Sequence, residues 1–267
     1  MKAHTPFHPH ARRSAAALGL AAALGATLPA TAVAQAAAGP AWRATASTEY
    51  SLLDRGLPAW QSQTLRLGRH WQARQWVEVE ATHTRRYDQD DTELALAGAV
   101  PVGDTLTATA RVAHSPTHRV LARDTLAAGL QWAVAPAWLV HAGLRHTRYT
   151  DNRVEQATLG VEHYFGALGA TLLAHQSRGL GRSTGAGELR LAWYYADAAS
   201  VTLFAGSGDE ATAVGAGAVA LARVRSLALA GRHPLAPGWS LEWGLHRVRQ
   251  GDFHRRGGAT LGVQHTF

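Results

Sequence analysis

From Trp42 to the end of the chain, apolar residues recur at every second position. The runs Leu94-Leu96-Gly98-Val100, Leu106-Ala108-Ala110-Val112, Leu189-Leu191-Trp193-Tyr195, Leu241-Trp243-Leu245 and Ala259-Leu261-Val263 show it most plainly. Small or polar residues fill the alternate places: Thr107, Thr109 and Arg111 in one run, Glu188 and Arg190 in another, Thr260, Gly262 and Gln264 in the last. A period of two is the strand signature, because successive side chains leave a strand on opposite sides. Each predicted strand thus has one apolar and one wet face. A soluble sandwich would read the same way, so the period indicates an all-β chain and leaves its solvent open.

The connections narrow the choice. Short turns fall near 72–74, 101–104, 135–137, 166–168, 196–198 and 234–238, with Pro101-Val102-Gly103-Asp104 and Pro234-Leu235-Ala236-Pro237-Gly238 as clear turn chemistry. Between them lie longer and more polar connections, near 53–59, 87–91, 114–123, 149–154, 178–185, 208–222 and 249–256. Short turns alternating with longer loops mark outer-membrane barrels, with turns periplasmic and loops extracellular. Fourteen strands fit between these points, an even number that leaves both ends periplasmic. Twelve is the alternative, because the Gly/Ala-rich stretch 208–222 is hard to assign. The expected architecture is a transmembrane, antiparallel, up-and-down β-barrel over residues 42–267.

The aromatic residues point the same way. Trp71 and Trp76 flank one short turn, Trp132 and Trp138 another. Trp193 precedes a third, Trp239 follows a fourth, and Phe267 ends the chain. Together they predict one rim of the barrel, where amphipathic rings favour the headgroup layer. Tyr50, Tyr87, Tyr149 and Phe253 fall at the other rim. A soluble sandwich would instead bury most tryptophans in mid-strand.

The last strand, Gly258 to Phe267, resembles the C-terminal assembly signal of outer-membrane proteins, with Phe267, Val263, Leu261 and Ala259 at alternate positions. His265 stands where that signal usually has an apolar residue, and reads as an interfacial histidine. Beyond this strand, the whole stretch after the leader resembles the YaiO-type outer-membrane β-barrel proteins. The resemblance rests on Ser115-Pro116-Thr117-His118-Arg119-Val120-Leu121, Ala142-Gly143-Leu144-Arg145-His146-Thr147 and Leu159-Gly160-Val161-Glu162-His163-Tyr164-Phe165-Gly166. Trp193-Tyr194-Tyr195, Ala230-Gly231-Arg232-His233, Pro237-Gly238-Trp239 and Gln250-Gly251-Asp252-Phe253 extend it. It implies a single barrel in the outer membrane and no established reaction; some similar barrels are associated with surface polysaccharide.

Composition alters this picture at the N-terminus. Lys2, Arg12 and Arg13 precede the apolar stretch Ala15 to Leu28, and Ala32-Val33-Ala34 offers a cleavage site before Gln35. Residues 1–34 therefore read as a signal peptide for the general secretory route, and 35–41 as a short periplasmic linker. Removing its three positive charges lowers the formal charge from +7 to +4. Nucleic-acid binding then loses most of its support. The chain has no cysteine, so no disulfide or thiolate metal site is available. Its mean hydropathy is −0.13, and no later segment is apolar for the roughly eighteen residues a membrane helix needs. A closed barrel needs no such run.

Candidate chemistry follows from the wet face. If Leu65 and Leu67 meet lipid, Arg66 faces the lumen, and the same logic places Glu78, Glu80, Arg111, Glu162, Glu188, Arg190, Arg232 and Glu242 inside. Both signs are present, so the lumen reads either as a plugged interior or as a narrow pore for small solutes. The phospholipase-like stretch His175-Gln176-Ser177-Arg178-Gly179 is the alternative, a lipid-modifying enzyme in which His175 would activate Ser177 on one strand face. Position 178 is Arg where that family has Asn, and Asn152 is the one asparagine that could orient the imidazole. His114 and His118 are four apart, but Pro116 makes their segment a loop, which argues against a metal site. The reading is a non-enzymatic barrel without cofactor, with no catalytic or metal-binding residue assigned. Its expected partners are outer-membrane lipids and lipopolysaccharide, the barrel-assembly machinery through the strand ending in Phe267, and surface polysaccharide.

Overall fold

The structure is a computed structural model that describes residues 40–215 and 218–267. The expected signal segment 1–34 and most of the expected linker 35–41 lie outside the described residues. The first seven strands are β1 (Ala41–Leu53), β2 (Trp60–Gln72), β3 (Gln75–Arg86), β4 (Gln89–Pro101), β5 (Leu106–His114), β6 (Asp124–Ala135) and β7 (Trp138–Arg148). The second seven are β8 (Arg153–Phe165), β9 (Leu168–Gly179), β10 (Arg182–Ala196), β11 (Ala199–Gly215), β12 (Ala218–Ala236), β13 (Trp239–Gln250) and β14 (His254–Thr266). Each pairs antiparallel with its neighbours in sequence, and β1 pairs with β14, closing a fourteen-stranded barrel. Fourteen, not twelve, is the count. Closure leaves no sheet edge, which lipid would not tolerate because nothing there could bond the free amides.

Side-chain exposure alternates along the strands. Leu65, Val79, Leu94, Leu126, Leu144 and Leu159 stand exposed on the outer surface. A continuous apolar exterior of this kind is stable only against hydrocarbon. Among the described residues, no helix is long and apolar enough to cross a membrane.

The loops differ from expectation. The stretches 87–91 and 178–185 contain tight turns built on Tyr87-Asp88 and Leu180-Gly181, all four residues having positive φ. That geometry matches the twist of the flanking strands. The stretch 208–222 is paired strand almost throughout, in register from Asp209↔Arg223 to Gly215↔Ala218. Composition suggested a loop there because glycine and alanine have weak strand preference, yet the partner strand supplies the ladder that decides. β11 and β12 accordingly reach 17 and 19 residues. Among the described residues, 115–123 is the longest connection at the loop end.

Candidate functional site: the barrel lumen

On β2, exposed Leu65 and Leu67 alternate with Thr64, Arg66 and Gly68, which turn inward. Arg66 there reaches Glu242 on β13 at 3.1 Å. β1 and β14 lie between them, so the two backbones stand three strand spacings apart, roughly 14 Å. Only side chains on the concave side can bridge such a gap. Arg232 on β12 faces Glu242 in register. The Gln264 amide, turned to satisfy both its atoms, accepts from Arg232 and donates to Glu242, each at 3.1 Å.

A second cluster lies on the wall formed by β3 to β5. Arg111 donates to Glu80 at 2.8 Å and to Glu93 at 3.3 Å, while Glu78 shares the inner face of Glu80. A third occupies β7 to β10, where Glu162 meets His141 at 2.9 Å, and Glu188 meets Arg190 and, at 4.0 Å, His175. Seven of the nine expected lumen residues thus join ion pairs on the concave surface, Arg232 is linked to Glu242 through Gln264, and Glu78 lies on the same face without an ion pair among the described residues. Pairing matters because an isolated buried charge costs far more than a compensated one.

At the loop end a layer of inward side chains packs around a residue that the sequence reading left out of the lumen. Trp60 is 4 % exposed, with the guanidinium carbons of Arg86 and Arg256 each 4.6 Å from its ring centroid. Tyr87 packs edge-on at 5.4 Å, and His254 lies at 5.9 Å. The signal was present: Glu78-Glu80-Thr82-Thr84-Arg86 keeps one parity, as does Trp60-Ser62-Thr64-Arg66. Burial raises the Tyr87 phenol above its ordinary value. Tyr149, in the β7–β8 connection, is pushed up to about 12 by burial and by the nearby Glu210 carboxylate. Neither Tyr87 nor Tyr149 points to lipid as the rim reading expected.

The 115–123 connection is tied to this mouth. Asp91, on the inner face of β4 and 2 % exposed, accepts from the amides of Val120 at 2.6 Å and Leu121 at 2.9 Å. A carboxylate that satisfies two loop amides fixes the loop where it lies. His114 bonds Asp124, its register partner, at 2.8 Å. Among the described residues, no group of three His, Asp or Glu side chains is placed to hold a metal ion.

At the turn end, Trp71, Trp132, Trp138, Trp193, Trp239 and Phe267 are exposed on the outer surface. Trp76 departs from the expected girdle. Val77 and Val79 take the outer face of β3, so Trp76 falls on the face of Glu78 and Glu80 and stacks on His70 at 5.9 Å. Several outer rings pair with histidines: Trp138 with His163 at 4.0 Å, and Trp239 with His265 at 4.3 Å. The phospholipase-like pair also lies inward. His175 Nδ1 meets Thr158 at 2.9 Å, and Ser177 accepts from Gln156 at 3.2 Å. No hydrogen bond joins His175 to Ser177 among the described residues.

Residues 43–210 match the YaiO membrane beta barrel domain. The chain belongs to this family. No curated protein is significantly similar to it in sequence. Among solved structures, the YaiO barrel is similar to the CymD monoaromatic hydrocarbon channel, with 10% identity and a TM-score of 0.58 over 90% of this chain and 91% of that one. It is also similar to the outer membrane protein Omp33 of Acinetobacter baumannii, at 13% identity and a TM-score of 0.52 over 85% and 99% of the two chains. A bacterial polysaccharide outer membrane secretin gives 12% and 0.51, over 86% and 98%. At such identities the likeness is one of fold. This YaiO protein is an outer-membrane β-barrel.

Proposed function

We propose that this YaiO barrel is a non-enzymatic, narrow passage for small solutes, constricted at its loop end by the layer of Arg86, Trp60 and Arg256. The observation that carries this reading is the composition of the inner wall: both signs of charge, paired across strands, meet an aromatic layer at the loop-end mouth. Barrel diameter grows with strand number, so fourteen strands enclose less than a sixteen-stranded porin. The paired lumen charges give little net preference for cations or anions. The inward direction of His175 and Ser177 weighs against a lipid hydrolase, whose substrate would lie outside the wall. Lipopolysaccharide is the proposed lipid partner, and the strand ending in Phe267 is the proposed contact for the assembly machinery.

The test is single-channel conductance of the refolded protein in planar bilayers. Small stepwise currents are expected for the native chain, with larger steps for Trp60→Ala and for Asp91→Ala, which releases the 115–123 loop. Silence from all three proteins across salts and voltages would establish a plugged structural barrel instead.

A further inference from the structure

The outer surface near the loop end carries an unusual charge row. Arg225 on β12 stands directly opposite Arg249 on β13, and Arg249 stands directly opposite Arg255 on β14. Arg247 lies two residues below Arg249 on the same face, and all four side chains are exposed. Like charges placed opposite one another destabilise a sheet. Relief inside the protein is partial: Arg249 meets Asp252 at 3.4 Å. Among the described residues, Arg225, Arg247 and Arg255 have no ion pair. The comparison within the same barrel is telling. Arg148 and Arg153 also face each other across β7 and β8, but there Asp124 pairs with Arg148. Arg178 on β9 faces Glu155.

The row stands at a definite height. Below it, Leu227, Leu245 and Leu261 are exposed, and the aromatic rim begins at Trp239. From Trp239 to Arg249 a strand rises about 34 Å along its own axis. At an ordinary barrel tilt of about 40° this is roughly 26 Å of height, close to the typical apolar band of about 25 Å. The arginines thus sit where outer-leaflet headgroups begin. Beside them the surface is recessed, because Gly257 on β14 faces Arg247 on one side and exposed Leu52 on the other. The recess puts an apolar wall next to unbalanced guanidinium groups.

We propose that Arg225, Arg247, Arg249 and Arg255 form a binding site for the phosphate groups of a phosphorylated glycolipid of the outer leaflet. The guanidinium forks take the phosphates, and an acyl chain descends past Gly257 along Leu52 and Ala259. Arginine suits phosphate because its planar fork donates two parallel bonds. The site rests on the reading that lipopolysaccharide surrounds the loop end, and gives that reading an address.

The test uses the full refolded barrel in neutral detergent, with folding verified by heat-dependent gel mobility. Native mass spectrometry compares bisphosphorylated lipid A, the same lipid without phosphates, and phosphatidylglycerol. The triple variant Arg225→Gln, Arg247→Gln, Arg255→Gln is set beside a control variant, Arg148→Gln, Arg153→Gln, Arg178→Gln. Lipid A retention is expected to fall roughly tenfold or more in the first and to change little in the second. Without lipid, the first variant should convert to its unfolded gel form a few degrees higher than the native chain, since repulsion is relieved. Equal loss in both variants, or equal retention of the phosphate-free lipid, overturns the site. Tighter binding of phosphatidylglycerol overturns the outer-leaflet choice. A chain that shows no heat-dependent mobility shift refutes the membrane-barrel reading itself.

Discussion

Trp42 and Phe267 exchange both of their main-chain hydrogen bonds, at 2.8 Å and 3.0 Å, and so seal the seam between the first and last strands. The pair lies at the headgroup rim, where Phe267 is 63 % exposed and stacks on His265. One residue pair thus ends the ladder and contributes to the aromatic girdle. Trp42→Pro removes one amide donor from the seam and leaves the Phe267 carbonyl without its partner. The loss of one such bond is worth about 1 kcal/mol, or roughly 2–4 °C in a chain of this size. Gel mobility after graded heating should show the variant unfolding at lower temperature, and deletion of Phe267 should lower it further. Unchanged midpoints in both would mean that the seam is sealed elsewhere.

A second prediction concerns a glycine under a tryptophan. Gly231 and Trp243 are register partners on the outer surface, and a Cβ at Gly231 would lie 2.5 Å from the indole Nε1. The same Nε1 donates to His233 at 2.7 Å. The ring therefore lies flat over the glycine, and any side chain at 231 must displace it. Gly231→Val should destabilise the barrel by about 1–3 kcal/mol, as overpacking does. Most of that cost should vanish in a Trp243→Ala background, because the two effects share one contact. Chemical unfolding of the four proteins in detergent gives the comparison; additive losses would refute the contact.

Much of the architecture could be read in advance because the barrel writes itself in a period of two. Leu65, Arg66 and Leu67 alternate in the sequence as they do on the wall. Short turns were legible where proline and glycine mark them, as at Pro237-Gly238. The β11–β12 hairpin was less legible, since Ala211, Thr212 and Ala220 have little strand signature until their partners are known. The mouth was missed for a different reason. Tyr87 and Tyr149 are aromatic and sit near strand ends, which suggested the lipid interface, and Trp60 was left unassigned to either face. Parity alone says which side of the wall a ring takes, and at Trp60 and Trp76 it says inward.

The lumen network offers a third test. Arg66 and Glu242 meet across two intervening strands, with side chains 22% and 16% exposed. Glu242→Gln leaves Arg66 without its carboxylate partner and puts a neutral amide opposite Arg232. Arg66→Gln removes the positive partner instead. Either change alone should lower stability, and the double variant should lose less than the sum. A coupling of about 0.5–3 kcal/mol is the range for contacting groups, measured by a double-mutant cycle in urea. A coupling near zero would show that water screens the pair fully, as in a wide lumen, and would count against the constricted passage.

The last prediction concerns alkaline pH. The folded chain holds the Tyr149 proton up to about 12, through burial first and the Glu210 carboxylate second, whereas an unfolded tyrosine releases it near about 10. The folded state thus favours the protonated phenol. Its contribution is fully present below the unfolded value and falls away as pH rises through the folded one. The stability of the native chain should accordingly decline between about pH 10 and pH 12 relative to Tyr149→Phe, which cannot titrate there. Phenolate absorbance should show late-titrating tyrosines in the native barrel and one fewer of them in the variant. If all six tyrosines ionise together near the ordinary value, Tyr149 faces open water and the loop-end mouth is open rather than constricted.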